Sequence, residues 1–223
     1  MHLLIPAAGS GTRMKAGKNK LLINLKGKSL LYWTLKSVFD SKKVKWVGII
    51  GQPHDKNEII NSIQEFSSRI NWIKGGKTRQ ESVRNGLNSL PLNASKVLIH
   101  DGARCLIQST LIDKCASQIQ NVDAVVLAIK VTDTIKFVNQ NDYIENTPNR
   151  ENLWAAQTPQ GFSVSKLKEA HQAAIKNNWT VTDDASLFEL MNWPVKVIEG
   201  NPLNMKITSP IDLKIAEIFL KDY

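Results

Sequence analysis

From His2 to Ile129 the chain alternates short apolar runs with longer amphipathic stretches, a pattern that few architectures accommodate. His2–Pro6, Val44–Gly51, Ile70–Lys74, Lys96–His100 and Val122–Ile129 have the length and apolar density of buried strands. Between them lie Ser29–Ser41, Lys56–Phe66, Thr78–Leu90 and Thr110–Ile119, which read as helices. Strand and helix in turn predict an α/β fold, a Rossmann-like, mostly parallel sheet with helices on both faces. Two helix entries carry capping signals. Thr78 stands three residues before Glu81, the spacing of a capping box, and Ser209 precedes Pro210, which suits the first position of a last helix.

With 223 residues of which 42% are apolar, the chain has the means to bury a core as one domain, and disorder is excluded. No stretch approaches the ~18 apolar residues of a membrane span, since even Val122–Ile129 is broken by Asp123. Met1–Pro6 lacks a basic lead-in and passes at once into a glycine loop, so no targeting segment is read. Cys105 and Cys115 make neither a disulfide framework nor a zinc-ligand pattern, which fits a reducing cytoplasm. From Lys130 the pattern changes, alternating through Thr132, Thr134, Lys136 and Val138 into the polar run Asn139–Asp142. This reads as an extended arm at about 132–154, inserted in a single domain spanning 1–223. Lys plus Arg number 29 against 20 Asp plus Glu, a formal charge of +9 that favours polyanionic partners, nucleic acid or small phosphates.

The placement of the basic residues bears on that choice. After the first apolar run comes Pro6-Ala7-Ala8-Gly9-Ser10-Gly11-Thr12-Arg13-Met14-Lys15, with Lys18 and Lys20 close behind. Small residues let backbone N–H groups approach an anion, and Arg13 and the lysines add charge. The dinucleotide fingerprint fails, because Met14 stands where its third glycine belongs. Gly27-Lys28-Ser29 fails as a P-loop, because the first glycine would have to be Leu22. An ordinary turn with solvated basic residues is the plain alternative.

Further stretches follow in order: Gly75-Gly76 with Arg79-Gln80-Glu81-Ser82-Val83, His100-Asp101-Gly102-Ala103-Arg104, Asp133-Thr134-Ile135-Lys136, Trp154-Ala155-Ala156-Gln157-Thr158-Pro159-Gln160, Thr182-Asp183-Asp184-Ala185-Ser186 and Asn204-Met205-Lys206-Ile207-Thr208. Together with the glycine loop, Lys20-Leu21-Leu22 and Gly27-Lys28, they resemble the 2-C-methyl-D-erythritol 4-phosphate cytidylyltransferase family, one of the nucleotidyltransferases that join sugar or polyol phosphates to nucleotides. The resemblance covers nearly the whole chain. It implies transfer of the cytidylyl group of CTP to 2-C-methyl-D-erythritol 4-phosphate, with release of pyrophosphate, in non-mevalonate isoprenoid precursor biosynthesis. It also implies a homodimer whose β-arm reaches across to a second subunit.

In such a reaction the nucleophile is already an anion at pH 7. No activated serine, cysteine or histidine is needed, and His2, His54, His100 and His171 form no evident triad with either cysteine. Positioning and charge neutralisation then carry the rate. The resemblance makes Arg13, Lys20 and Lys206 the catalytic cations, and Ala7, Ala8, Gly9, Gly11, Gly76, Arg79 and Ser82 the CTP-binding positions. Many relatives have proline before the family lysine, whereas here Gly17-Lys18-Asn19 precedes Lys20; the following Leu21-Leu22 favours Lys20 over Lys18. Asp101 ends a predicted parallel strand, where ligands bind in open α/β sheets, and as a hard carboxylate it suits Mg2+ or another divalent cation. Thr134, Arg150 and Thr158 are the positions implied to hold methylerythritol phosphate, arginine being suited to a bidentate phosphate grip. Taken singly, Lys206 and Arg150 read as surface charges, Asp101 as a turn or cap aspartate, Ser82 as a solvent-facing helix residue, and Arg79 as a residue that stabilises a helix start. Cys105 replaces the proline usual after the motif's arginine and reads as a buried, inert thiol. Thr182-Asp183-Asp184 reads as the cap of a helix from Ala185 to Met191.

Two rival readings stand beside this one. Ribitol 5-phosphate cytidylyltransferases share most of these motifs and differ in the alcohol pocket, around Thr134 to Thr158. A basic nucleic-acid-binding protein would use the +9 charge and six tryptophans, but Trp33, Trp46, Trp72 and Trp179 fall in or beside amphipathic elements, and there is no RNP-like or helix-turn-helix pattern.

Overall fold

A strand covered by helices on both faces has no side left for water, and the first apolar run obeys this: Leu3, Leu4 and Ile5 are all fully buried. The computed structural model describes residues 1–9 and 19–220. Its strands are β1 (His2–Pro6), β2 (Asn24–Leu25), β3 (Lys28–Ser29), β4 (Trp46–Gly51), β5 (Ile70–Lys74), β6 (Lys96–Ile99), β7 (Ala124–Lys130), β8 (Phe137–Val138), β9 (Ile144–Asn146), β10 (Trp154–Ser163) and β11 (Lys196–Glu199). Its helices are α1 (Leu30–Phe39), α2 (Lys56–Ser62), α3 (Arg79–Asn88), α4 (Ser109–Gln118), α5 (Val164–Lys176), α6 (Ala185–Leu190) and α7 (Pro210–Phe219). Among the described residues no helix is long and apolar enough to cross a membrane.

Seven strands form one sheet in the order β11-β7-β10-β6-β1-β4-β5, with β10 antiparallel to both neighbours and the other pairs parallel. Alternate side chains of these strands feed two core layers. On one face Leu3, Val47, Ile49 and Leu98 meet Leu31 and Leu35 of α1, Ile59 of α2 and Ile112 of α4. On the other, Leu4, Ile50, Ile99 and Phe162 meet Val83 and Leu87 of α3, Leu167 of α5 and Phe188 of α6. A smaller cluster joins Ala216 of α7 to Leu25, Leu30, Leu106 and Ile207. Trp33, Trp46, Trp72 and Trp179 pack against these three clusters, which accounts for them without a nucleic acid.

Both capping signals are used, one with a shift. Ser209 and Asp212 form a complete capping box behind Pro210. Thr78 accepts from the Glu81 N–H, but Glu81 Oε2 accepts from Lys77 N–H rather than from Thr78, because the chain before the helix bends back over the glutamate. At the start of α6 the cap falls to Asp183, whose Oδ1 accepts from Ser186 N–H and Oγ–H, while Asp184 turns inward.

Two local irregularities interrupt the sheet near the carboxyl ends of its strands. In β10, Ala156 pairs with Ala128 of β7 and Gln160 with Val126, so the four-residue step on β10 faces a two-residue step on β7 and the extra residues bulge. Between β7 and β10 the short strands β8 and β9 pair with each other as a separate ribbon, whose Phe137, Tyr143 and Ile144 are 57%, 72% and 61% exposed.

Phe188 is fully buried, with ring centroids 5.2 Å from Phe162 and 5.3 Å from Trp193. Phe188→Ala is therefore expected to lower the unfolding free energy by about 3–5 kcal/mol, measured by urea denaturation followed by tryptophan fluorescence. A loss below about 1 kcal/mol would show that this layer repacks around the void.

Candidate active site

The strand order contains a reversal. The chain steps from β1 outward through β4 to β5, then β6 returns to the other side of β1, so connections leave the carboxyl ends of β1 and β6 in opposite directions. A crevice opens at such a point in open α/β sheets. Here it is a cleft of about 290 Å³. Ala7, Ala8 and Gly9 line it from the end of β1, Gly76 from the loop after β5, Arg79 and Ser82 from the first turn of α3, and Asp101 from the end of β6. Lys20 and Lys206 complete the wall. Residues separated by nearly two hundred positions in the sequence thus share one cavity. Gly11 and Arg13 lie outside the described residues.

Asn19 sets the position of Lys20. Its buried side chain donates to Ala7 O at 2.7 Å and to Asp55 Oδ2 at 2.9 Å, and accepts from Leu21 N–H. These bonds tie the short turn Lys20–Leu22 to the end of β1, and Lys20 Nζ lies 3.5 Å from the Ile207 carbonyl. Ile207 N–H in turn donates to Ala103 O, which fixes the Lys206 segment against the β6 loop.

The glycine pair before α3 is equally constrained. Gly76 N–H donates to Ser82 Oγ, Ser82 donates to Thr78 O, and Gln52 Nε2 donates to Gly76 O. A Cβ on Gly76 would lie 2.3 Å from Glu81 Cγ, so the close approach requires glycine. Ser82 is 1% exposed, not solvent-facing, and its hydroxyl braces the loop. A helix start leaves its leading N–H groups without intrahelical partners, so the opening of α3 toward the cleft favours an anion.

Asp101 carries the negative charge of the site. Its Oδ2 lies 2.9 Å from Lys206 Nζ and 3.6 Å from Arg104 Nε, and its Oδ1 lies 4.0 Å from Arg79 Nε. Burial pushes the carboxyl up, but Lys206, Arg79 and Arg104 outweigh it and hold it at about 2. Asp101 is therefore ionised throughout the neutral range. Among the described residues no group of three or more His, Cys, Asp or Glu could hold a metal ion. A single hard carboxylate facing a cleft still fits Mg2+, which takes one or two protein oxygens and completes its shell with water and substrate phosphates.

Among the described residues no histidine or cysteine is poised here to act as nucleophile or base. Burial lowers His100 and His171 to about 4, so both are neutral at pH 7, and burial raises Cys105 and Cys115 to about 12. None of these four lines the cleft.

The three positions expected to hold the second substrate are not part of this cleft's lining. Thr158 is buried in the β10 bulge, where its hydroxyl accepts from Asp101 N–H at 3.0 Å and meets His100 Nδ1 at 3.0 Å. Thr134 and Arg150 belong to the arm, exposed, and Arg150 donates to Thr132 O.

Sequence reasoning assigned no site role to Asn19, Arg104 or Asp184, the last being read only as part of a helix cap. Asn19 was open to discovery, as an amide directly before a short helical turn. Asp184, fully buried with Arg79 Nη2 2.8 Å from Oδ2, was not, because two adjacent aspartates look alike until packing turns one inward.

A chain with this cleft resembles known proteins over its whole length. The family model described as IspD, 2-C-methyl-D-erythritol 4-phosphate cytidylyltransferase, matches residues 1–222. A 2-C-methyl-D-erythritol 4-phosphate cytidylyltransferase from Prochlorococcus marinus (strain MIT 9515) is 70% identical over 223 residues, covering 100% of both chains. One of the same name from Crocosphaera subtropica is 54% identical, covering 99% of this chain and 98% of that one. Among solved structures, the 4-diphosphocytidyl-2C-methyl-D-erythritol synthase from Anaerococcus prevotii superposes with a TM-score of 0.87 at 30% identity, over 99% of this chain and 97% of that one. Sequence and fold agree along the entire chain, which belongs to the 2-C-methyl-D-erythritol 4-phosphate cytidylyltransferase family.

Proposed function

We propose that this protein transfers the cytidylyl group of CTP to 2-C-methyl-D-erythritol 4-phosphate, giving 4-diphosphocytidyl-2-C-methyl-D-erythritol and pyrophosphate for non-mevalonate isoprenoid precursor synthesis. The observation that carries this reading is the composition of the cleft: cations and a helix start converge there, and among the described residues no histidine or cysteine lines it. That suits a reaction whose nucleophile arrives already ionised. A phosphate oxygen of methylerythritol phosphate forms a bond to the α-phosphorus of CTP, the bond from that phosphorus to the β-phosphate bridging oxygen breaks, and pyrophosphate leaves with the electron pair.

Charge builds on the α-phosphate oxygens as five oxygens crowd the phosphorus. Lys20 and Lys206, together with Arg13, neutralise it, and because Lys20 and Lys206 are held in the cleft wall beforehand they stabilise the transition state more than the ground state. The Ala7–Gly9 backbone, Gly76 and Ser82 hold the nucleotide, with Arg79 and the α3 N-terminus at its phosphates. Asp101 would hold Mg2+, which when bound supplies a further positive charge to the phosphate oxygens.

Thr134, Arg150 and Thr158 complete the reading if the protein works as a homodimer. The β8–β9 ribbon supports this, since an isolated two-stranded ribbon is marginal in water and this one presents Phe137, Tyr143 and Ile144 to solvent. A second copy covering those side chains would receive Thr134 and Arg150 beside its own cleft, where arginine grips the methylerythritol phosphate.

The direct test is pyrophosphate release by the purified protein with Mg2+, crossing CTP, UTP, ATP and GTP against methylerythritol 4-phosphate and ribitol 5-phosphate. Release with CTP and methylerythritol phosphate alone is the expected result; faster release with ribitol phosphate would move the protein to another pathway. In the same assay Lys20→Ala and Lys206→Ala should each reduce kcat by about a hundredfold or more, near 3 kcal/mol, with unchanged circular dichroism. Near-normal turnover in both would remove these lysines from the chemistry. For the arm, Ile144→Asp should shift the protein from dimer to monomer in analytical ultracentrifugation and lower activity in parallel. A fully active monomer would refute the shared site.

A further inference from the structure

Arg79 is the first residue of α3, where the helix dipole opposes a cation and an acidic residue would be the favourable choice. Its guanidinium nevertheless faces the cleft, and something must hold it there. Behind it stands Asp184, fully buried, with Oδ2 2.8 Å from Arg79 Nη2. Burying a carboxylate is unfavourable, and capping does not require this one, since Asp183 already caps α6. His171 offers no substitute partner. Its Nε2 lies 4.0 Å from Asp184 Oδ1, and neither ring nitrogen has a hydrogen-bond partner among the described residues.

The carboxylate is anchored from the sheet. Gln160 of β10 accepts from the N–H groups of Asp184 and Ala185 through Oε1 and donates to Asp183 Oδ2 through Nε2, which fixes the turn on either side of Asp184. Gln80, next to Arg79, donates to Trp179 O and ties the first turn of α3 to the segment leading into that turn. Both ends of the ion pair are thus clamped to the scaffold. Arg79 then spans from Asp184 to Asp101, with its Nε 4.0 Å from Asp101 Oδ1 at the cleft wall.

We propose that Asp184 is a positioning residue, which acts through Arg79 by holding the guanidinium fork in one orientation against the phosphates of the bound nucleotide. This deepens the reading of the cleft as a CTP site and rests on it. A guanidinium fixed on one side by a buried carboxylate loses little freedom when an anion arrives, so the cost of ordering it is met during folding rather than on binding. Without Asp184 the same guanidinium keeps its charge but loses its fixed bearing. The α3 dipole then favours its swinging out to water.

The test is a cycle of variants read by calorimetric titration with CTP in the presence of Mg2+. Asp184→Asn, which keeps the shape, should weaken CTP binding by roughly tenfold, as should Arg79→Ala. The double variant should bind no more weakly than Arg79→Ala alone, because Asp184 has nothing to act on once the guanidinium is gone. Multiplying losses, or Asp184→Asn binding like wild type, would overturn the positioning role while leaving the CTP reading intact. Should Asp184→Asn fail to fold, Arg79→Lys decides: it keeps the charge but not the fork, and is expected to bind like Arg79→Ala. Full rescue by lysine would mean that charge alone matters and overturn the proposal. Failure of the wild-type protein to bind CTP would instead remove the reading of the cleft, and this inference with it.

Discussion

The Asp101 carboxylate sits at the end of β6 with Lys206 at 2.9 Å and Arg104 and Arg79 at 3.6 and 4.0 Å, and the cleft is arranged around keeping that charge both buried and satisfied. Taking a carboxylate out of water is unfavourable unless cations meet it, and the cations that meet this one come from three separate parts of the chain. Lys206 arrives on the segment before α7, Arg79 on the first turn of α3, and Arg104 from the loop of Asp101 itself. Each is held by neighbours of its own. Arg104 Nη1 donates to Asn204 O at 2.7 Å, Ile207 N–H pins the Lys206 segment to Ala103, and Thr158 braces the Asp101 backbone.

That arrangement is what a phosphoryl-group reaction asks of a protein. The covalent step needs no activated side chain, so the structure supplies oriented charge and backbone donors in a partly closed site, where they are worth more than in water. His100, His171 and the two thiols are correspondingly kept out of the cleft and in their neutral forms. Excess positive charge on the wall is tolerable because the substrates bring the compensating negative charge. The +9 of the whole chain is consistent with phosphate ligands, whose partners here are a handful of fixed cations.

Much of this was legible along the chain. Continuous apolar runs of strand length, as in Leu3, Leu4 and Ile5, already require helices on both sides, and small residues followed by basic ones after the first strand already indicate an anion site. Lys206 and Asp101 were readable as site residues only through ordered resemblance to a family, because an isolated lysine or aspartate carries no signal of its own. Ser82 shows the limit of periodicity. Its place on α3 suggested solvent, and the bend of the Gly75-Gly76 loop over the helix start buried it.

The amino-acid order by itself determined the alternation of strand and helix, the two-faced core and the small-residue loop, because these follow from periodicity, side-chain volume and local capping. Tertiary structure alone decided which aspartate of the pair at 183 and 184 turns inward, how the β10 bulge sets Thr158 against Asp101, and that Lys20, Arg79, Asp101 and Lys206 share one cleft. The physical reason is that sequence spacing encodes only near-neighbour geometry. Ion pairs and hydrogen bonds join residues as much as 187 positions apart, and their energies exist only once the sheet has brought those residues together.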